Sequence, residues 1–209
     1  MKSLAILLAI ILSRPVAWCL TLLRKGGWAS WDCRVARRID PSEQCWLTRY
    51  LRRAGAIINR GFLLRPLAAP PEPVQYLEAF VQEFGVCFEA FILCQRLVEL
   101  CVREGRYADA ERLLESGYQL GATWFQMPPN MRERSPYDWL IPNIVADFIV
   151  GLWVVQQARQ QNVAVAFQHR HEGWLVKVAQ AVGIDTRILW GVWYPEARRQ
   201  VRTLHRAVS

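Results

Sequence analysis

The sequence predicts an all-α protein, a helical bundle or array of αα-hairpins behind an N-terminal hydrophobic helix, and three observations predict it. From Val74 to Glu104, Leu77, Phe80, Phe84, Cys87, Phe91, Cys94, Val98 and Cys101 follow one another at alternating steps of three and four, the spacing of a buried helix face. Helix-start signatures recur at Asp40-Pro41-Ser42-Glu43 and at Ser135-Pro136-Tyr137-Asp138, each with a capping side chain ahead of a proline in the first turn. Only Val163 to Phe167 is β-prone, and one isolated strand makes no sheet.

Length and charge set the organisation. A chain of 209 residues, 53% of them hydrophobic, holds one domain with room for an appendage. The net charge of +8 is segregated: residues 24 to 65 carry +7, residues 66 to 186 carry −5 and residues 187 to 209 carry +4. Basic ends around an acidic middle suit an anionic target, whether lipid headgroups, nucleic acid or an acidic partner. The expected division is a hydrophobic segment over 1–25, a basic amphipathic region over 26–65, a proline-rich linker over 66–73 and a helical domain over 74–209.

Leu4 to Leu12 is an apolar run behind Lys2, and after Ser13-Arg14-Pro15 the apolar character resumes from Val16 to Leu23. Three readings meet here: a cleaved signal, a membrane anchor and a buried core helix. Cleavage fits poorly, because Pro15 or the bulky Trp18 falls where a small residue is needed. As a span, Arg14 costs about 2.5 to 3.5 kcal/mol, and ten Leu and Ile residues return about 3 to 6 kcal/mol. The flanking residues favour the anchor. Arg24, Lys25, Arg34, Arg37 and Arg38 follow the run together with Trp28 and Trp31, a basic and aromatic grouping that a membrane interface selects and that would keep this side cytoplasmic.

The helix expected after Asp40 is two-faced, with Trp46, Leu47, Tyr50, Leu51, Ala54, Ile57 and Ile58 against Arg49, Arg52, Arg53, Asn59 and Arg60. Such a helix lies on an anionic surface or packs its apolar side on a core. Pro66 and Pro70-Pro71-Glu72-Pro73 then stiffen the chain.

The Val74–Glu104 helix spans about 46 Å at 1.5 Å per residue. Its wet stripe is Gln75, Glu78, Gln82, Glu89, Arg96, Glu99 and Arg103, and Ile92, Leu93 and Leu100 lie outside the buried seam, which leaves apolar surface for a protein partner or for self-association. Cys87, Cys94 and Cys101, two turns apart, are too far from one another to pair and behave as small core residues. Cys19, Cys33 and Cys45 lack the close spacing of a zinc or redox site.

Leu97, Gly105, Tyr107, Ala110, Leu114 and Gly117 give residues 91 to 122 the pattern of a helical hairpin, and this stretch resembles a tetratricopeptide repeat. It departs from that family at Cys94 and Val98, and no neighbouring repeat follows at a 34-residue offset. The resemblance implies one hairpin of similar crossing geometry and no binding groove. The second helix of the hairpin is expected over Ala108 to Leu120, a loop over Gly121 to Arg134, and a buried helix from Pro136 to Val155. Helices over Trp174 to Val182 and Pro195 to Ala207 finish the chain.

Catalytic chemistry finds little support. His169-Arg170-His171-Glu172 is the only cluster of metal-ligating residue types, and it lacks a further ligand apart from His205 in a basic helix. Asp147 in an apolar helix reads as a helix cap or buried ion-pair member before it reads as a general base. The chain holds no HExxH, GxSxG, phosphate-binding glycine loop or zinc-finger spacing. No catalytic, cofactor or metal residue is assigned, and no cofactor is expected. The function expected is that of a non-catalytic, membrane-tethered helical adaptor or assembly component that binds a protein partner. The alternatives are a nucleic-acid-binding protein using its basic ends and an enzyme of unidentified type.

Overall fold

The structure, a computed structural model, describes residues 2–22, 28–60, 68–132, 135, 137–168 and 173–206. It is all-α, and no β-strand occurs among the described residues. Two compact units form, one of Met1–Arg65 with Glu133–Pro136 and one of Pro66–Arg132 with Tyr137–Ser209.

In the first unit α1 (Lys2–Leu22), α2 (Trp28–Ile39) and α3 (Trp46–Arg60) pack on one another. The shared core is small: Ile6, Ile10, Ala36, Cys45 and Leu47 are buried, and Val35, Ile39, Trp46, Tyr50 and Leu51 close over them. Asp40 does not cap a helix beginning at Pro41, as expected from sequence. The chain turns first, with Glu43 in the left-handed region at φ 52°, and Asp40 accepts the N–H of Cys45 at 2.7 Å, just ahead of α3. Glu43 bridges two helices instead of capping one, pairing with Arg37 at 3.0 Å and Arg52 at 2.9 Å.

The second unit begins with α4 (Pro73–Phe84) and α5 (Phe88–Arg103), which corrects the single 31-residue helix read from the sequence. Gly85 takes φ 75°, a conformation that an L side chain resists and that ends a helix. The seam survives the break: Leu77, Phe80, Cys87, Phe91, Cys94, Val98 and Cys101 are all buried, because both helices turn the same face to one core. Leu93 and Leu100 are buried as well, at 0% and 3% exposure. The unit therefore covers two of the three apolar residues outside the seam, and Ile92 stays half-buried. Glu89, placed on the wet stripe by its spacing, is also buried.

The proline-rich stretch is held against the α5–α6 turn. Arg106 Nη1 and Nη2 donate to the carbonyls of Pro70 and Pro71 at 2.9 and 2.7 Å, while Glu104 accepts the N–H of Ala69 at 2.7 Å. Asp109 pairs with the same guanidinium at 2.6 Å.

α6 (Tyr107–Gln126) and α7 (Ile141–Gln160) make the most extensive contact of the unit. α6 runs past the expected loop start at Gly121, because that glycine and Gly117 serve close approach and not chain reversal. A Cβ on Gly117 would stand 2.7 Å from the Phe148 ring, and one on Gly121 would stand 2.6 Å from Val145 Cγ2. α7 starts later than Pro136, after a 3-10 turn over Asp138–Leu140, with Pro142 in its first turn.

Asp138–Gln160 is long and apolar enough to cross a membrane by length and composition, and 56% of its apolar window is buried inside the unit. That is the burial of a core helix, and it packs on α6, on α8 (Trp174–Ala181) and on α10 (Tyr194–Arg206). Between α8 and α10 lie the short α9 (Thr186–Ile188) and a π-helical turn, Leu189–Trp193. The β-prone stretch Val163 to Phe167 is irregular chain after α7. Asn162 at φ 50° ends that helix, and Val163 N–H returns to Ala158 O at 3.0 Å.

Cys33, Cys45, Cys87, Cys94 and Cys101 form no disulfide. Burial pushes the Cys94 and Cys101 thiols up, Cys101 to about 11, and Cys94 Sγ donates to the Leu113 carbonyl at 3.2 Å. Neither supplies a thiolate near neutral pH.

Candidate membrane-binding surface

α1 is two-faced in a way its composition conceals. At about 100° per residue, Lys2, Ser3, Ile6, Ile10 and Ser13 share one side. Ile6 and Ile10 are 0% and 6% exposed. The three polar residues on that side are all engaged within the unit: Lys2 Nζ to Asp40 Oδ1 at 3.1 Å, Ser3 Oγ with Cys45 Sγ at 3.2 Å, and Trp31 Nε1 to Ser13 Oγ at 2.9 Å. The opposite arc, about 180° wide, holds Leu4, Leu7, Leu8, Ile11, Leu12 and Val16, exposed by 46% to 79%. Six large aliphatic side chains on one helix face form a patch of a kind that soluble surfaces seldom leave uncovered.

Asp40 fixes the buried side. Its carboxylate is fully buried and faces Lys2, and the Cys45 N–H, with the Lys2 ammonium in support, holds its pKa below the ordinary carboxylate value. A group whose folded pKa lies below its unfolded value of about 3.9 stabilises the fold above that pH. The contribution is lost as pH falls through the folded pKa. Acidification below about pH 4 is therefore expected to loosen α1 from α2 and α3, read as lower protection of the Ile6 and Ile10 amides relative to the intrinsic exchange rate at each pH. In Asp40→Asn the protection of the same amides should already be low at neutral pH and change little with acid. Equal acid sensitivity in wild type and variant would remove Asp40 as the cause.

The basic and aromatic residues singled out in the sequence distribute as follows. Arg24 and Lys25 lie outside the described residues. Trp28 opens α2, its side chain outside the described ones, and Trp31 is half-buried in its bond to Ser13. Arg37 and Arg52 are exposed but share Glu43. Arg34 lies over the Trp31 ring at 5.4 Å and Arg53 over Tyr50 at 5.9 Å. Arg38 and Arg49 are exposed. The surface of α2 and α3 is thus arginine-rich, and the half-buried carboxylate of Glu43, in the turn between them, is already engaged.

The sequence reading missed the split of α1 into a packed and an open face. The signal was present: Lys2, Ser3 and Ser13, the polar residues before Arg14, project to one side together with Ile6 and Ile10.

His169, His171 and Glu172 lie outside the described residues. Among the described residues no group of three or more His, Cys, Asp or Glu could hold a metal ion. No family model matches the chain, no curated protein is similar to it, and no solved structure matches its fold. The class the structure defines is therefore structural: an all-helical protein with an apolar-faced N-terminal helix and a separate helical unit built around one long apolar helix.

Proposed function

We propose that this protein is a non-catalytic, membrane-associated helical adaptor, docked through the open face of α1 and offering its second unit to a protein partner. The single observation that carries the reading is the exposed arc of Leu4, Leu7, Leu8, Ile11, Leu12 and Val16 opposite the packed side of α1. A helix that spanned the bilayer would have to leave the bonds to Asp40, Cys45 and Trp31 or carry them into hydrocarbon, at several kcal/mol for each unsatisfied polar group. Lying in the interface requires neither. The leucine arc enters the acyl boundary while arginines of α2 and α3 serve the headgroups, at about 1 kcal/mol for each one near an anionic surface. For the partner role, the support is that the second unit keeps Trp139, Ile188 and Val192 exposed by 70%, 47% and 59%.

Flotation of the full chain with vesicles tests the docking. Binding is expected to vesicles containing phosphatidylglycerol, weaker binding to pure phosphatidylcholine, and partial retention on the anionic vesicles at high salt, since the apolar share is unscreened. A chain that floats with neither composition, but binds nucleic acid with an affinity falling by orders of magnitude between about 50 and 200 mM salt, would overturn the reading in favour of a nucleic-acid-binding protein.

A further inference from the structure

The second unit contains a cavity of about 480 Å³ that the membrane reading does not use. α5 supplies Ile92, α7 supplies Asp147 and Phe148, α8 supplies Trp174, and the π-helical turn supplies Trp190. Its volume falls in the small-molecule range, and apolar walls around a few polar groups are the usual composition of a ligand site.

The charged groups of the wall sort into one internal pair and one carboxylate left over. Arg96 pairs with Glu99 at 2.6 Å, and Glu99 also takes Arg103 at 3.0 Å, so these groups satisfy one another. Asp147, in the middle of α7, is neither the helix cap nor the ion-pair member that the sequence suggests. Its hydrogen bonds are from neutral groups, Gln95 Nε2 at 3.3 Å and the Tyr194 hydroxyl. Arg198 acts on it by charge without forming an ion pair, stacking over the Tyr194 ring at 4.9 Å. Burial raises the Asp147 pKa, opposed by Tyr194 and Arg198. Among the described residues Gln95 and Tyr194 reach Asp147 by hydrogen bonds and Arg198 only by longer-range charge, so a bound cation would supply the contact-distance counter-charge that these groups do not.

The aromatic part of the wall is fixed in place. The tip of the Trp174 indole lies 3.0 Å from where a Cβ on Gly151 would stand, so the ring rests on the α7 backbone. The wider π-helical turn sends neighbouring indoles to different places, Trp193 edge-on against Trp153 at 5.7 Å and Trp190 to the cavity. Single π turns inside helices are frequent at binding sites. Indole faces attract cations, most strongly where water is excluded.

We propose that this cavity binds an organic ammonium ion, with Asp147 as its counter-charge and Trp174 and Trp190 as its aromatic wall. The test is calorimetric titration of the full chain with choline and with its neutral isostere 3,3-dimethylbutan-1-ol. Choline is expected to bind saturably in the millimolar range, with the isostere at least about ten-fold weaker. Asp147→Asn should lose choline binding by a similar factor and leave the isostere unchanged, its fold checked by thermal melting. Should Asp147→Asn fail to fold, Trp190→Ala decides, since it truncates a side chain 47% exposed and should weaken choline more than the isostere. Equal affinity for choline and isostere would mean an apolar cavity only. Either that result, no saturable choline binding, or full retention in the variants overturns the assignment.

Discussion

Gly117→Val should destabilise the second unit by about 3 kcal/mol, the upper part of the range for overpacking a filled core. The substitution gains from the backbone, since replacing a mid-helix glycine returns up to about 1 kcal/mol of helix propensity. The packing term opposes and exceeds it. Even the first carbon of the new side chain would meet Phe148 Cδ2 and Cε2 at 2.7 Å and Cys94 Sγ at 3.0 Å. Phe148 is 1% exposed and stacks with Phe91 at a centroid distance of 6.4 Å, so moving its ring aside breaks that packing. Thermal melting should therefore show a drop of roughly 6 to 12 °C for a unit of this size. Gly191→Ala is the control: nothing lies within 4 Å of its Cβ, and the melt should not fall but rise slightly with the gain in helix propensity. Shortening the opposing ring in Gly117→Val/Phe148→Leu should recover part of the loss. Additive losses in that double variant would show that the α6–α7 contact is not the cause.

Two other glycines, Gly121 and Gly85, explain part of what the sequence concealed. Gly121 resembles a helix terminator when seen alone, and the loop expected there follows from that habit. What it does is let α6 approach Val145, a property of a neighbouring helix that no local pattern encodes. Gly85 misleads in the opposite direction: it ends α4, yet the three-four spacing from Phe84 through Cys87 to Phe91 continues across it because α4 and α5 bury into one core. Periodicity reports which residues are inside; it does not report whether one helix or two carries them.

Burial was the legible part, and the all-helical class with it, since the seam from Leu77 to Cys101 is buried apart from Phe84, which is half-buried. Charge segregation was legible too, but not its local use. Glu43 was positioned to cap a helix and instead joins Arg37 to Arg52 across two helices. Asp40 accepts the N–H of Cys45, five residues on and just ahead of α3, while also receiving Lys2. Both roles depend on contacts over 38 residues or on a left-handed backbone at Glu43, and neither is a matter of neighbouring residue types. α1 shows the cost of reading composition first: a hydropathy sum treats its leucines alike, and only their projection around the axis separates two buried isoleucines from six exposed residues.

Leu8→Glu/Ile11→Glu should abolish vesicle binding while leaving the first unit folded. Leu8 and Ile11 lie near the middle of the open arc, 52% and 63% exposed, and each is flanked by further aliphatic side chains of the same face. Half-burying six such side chains in the acyl boundary is worth about 1 kcal/mol each, from a full-burial value of about 1.5 to 3 kcal/mol. Two carboxylates at the centre remove two of those contributions, cost desolvation of their own and repel an anionic surface. A loss of at least about 100-fold, near 3 kcal/mol, is the expected result with phosphatidylglycerol vesicles. The fold should persist, because Ile6, Ile10 and the bonds of Lys2, Ser3 and Ser13 face the other way; near-unchanged circular dichroism would show this. Ile6→Glu is the informative contrast, since it places a charge in the packed core and should unfold the unit. Retained vesicle binding by the double variant would mean that the arginines of α2 and α3 act alone, and flotation at high salt would then separate a purely electrostatic attachment from one that needs the leucine face.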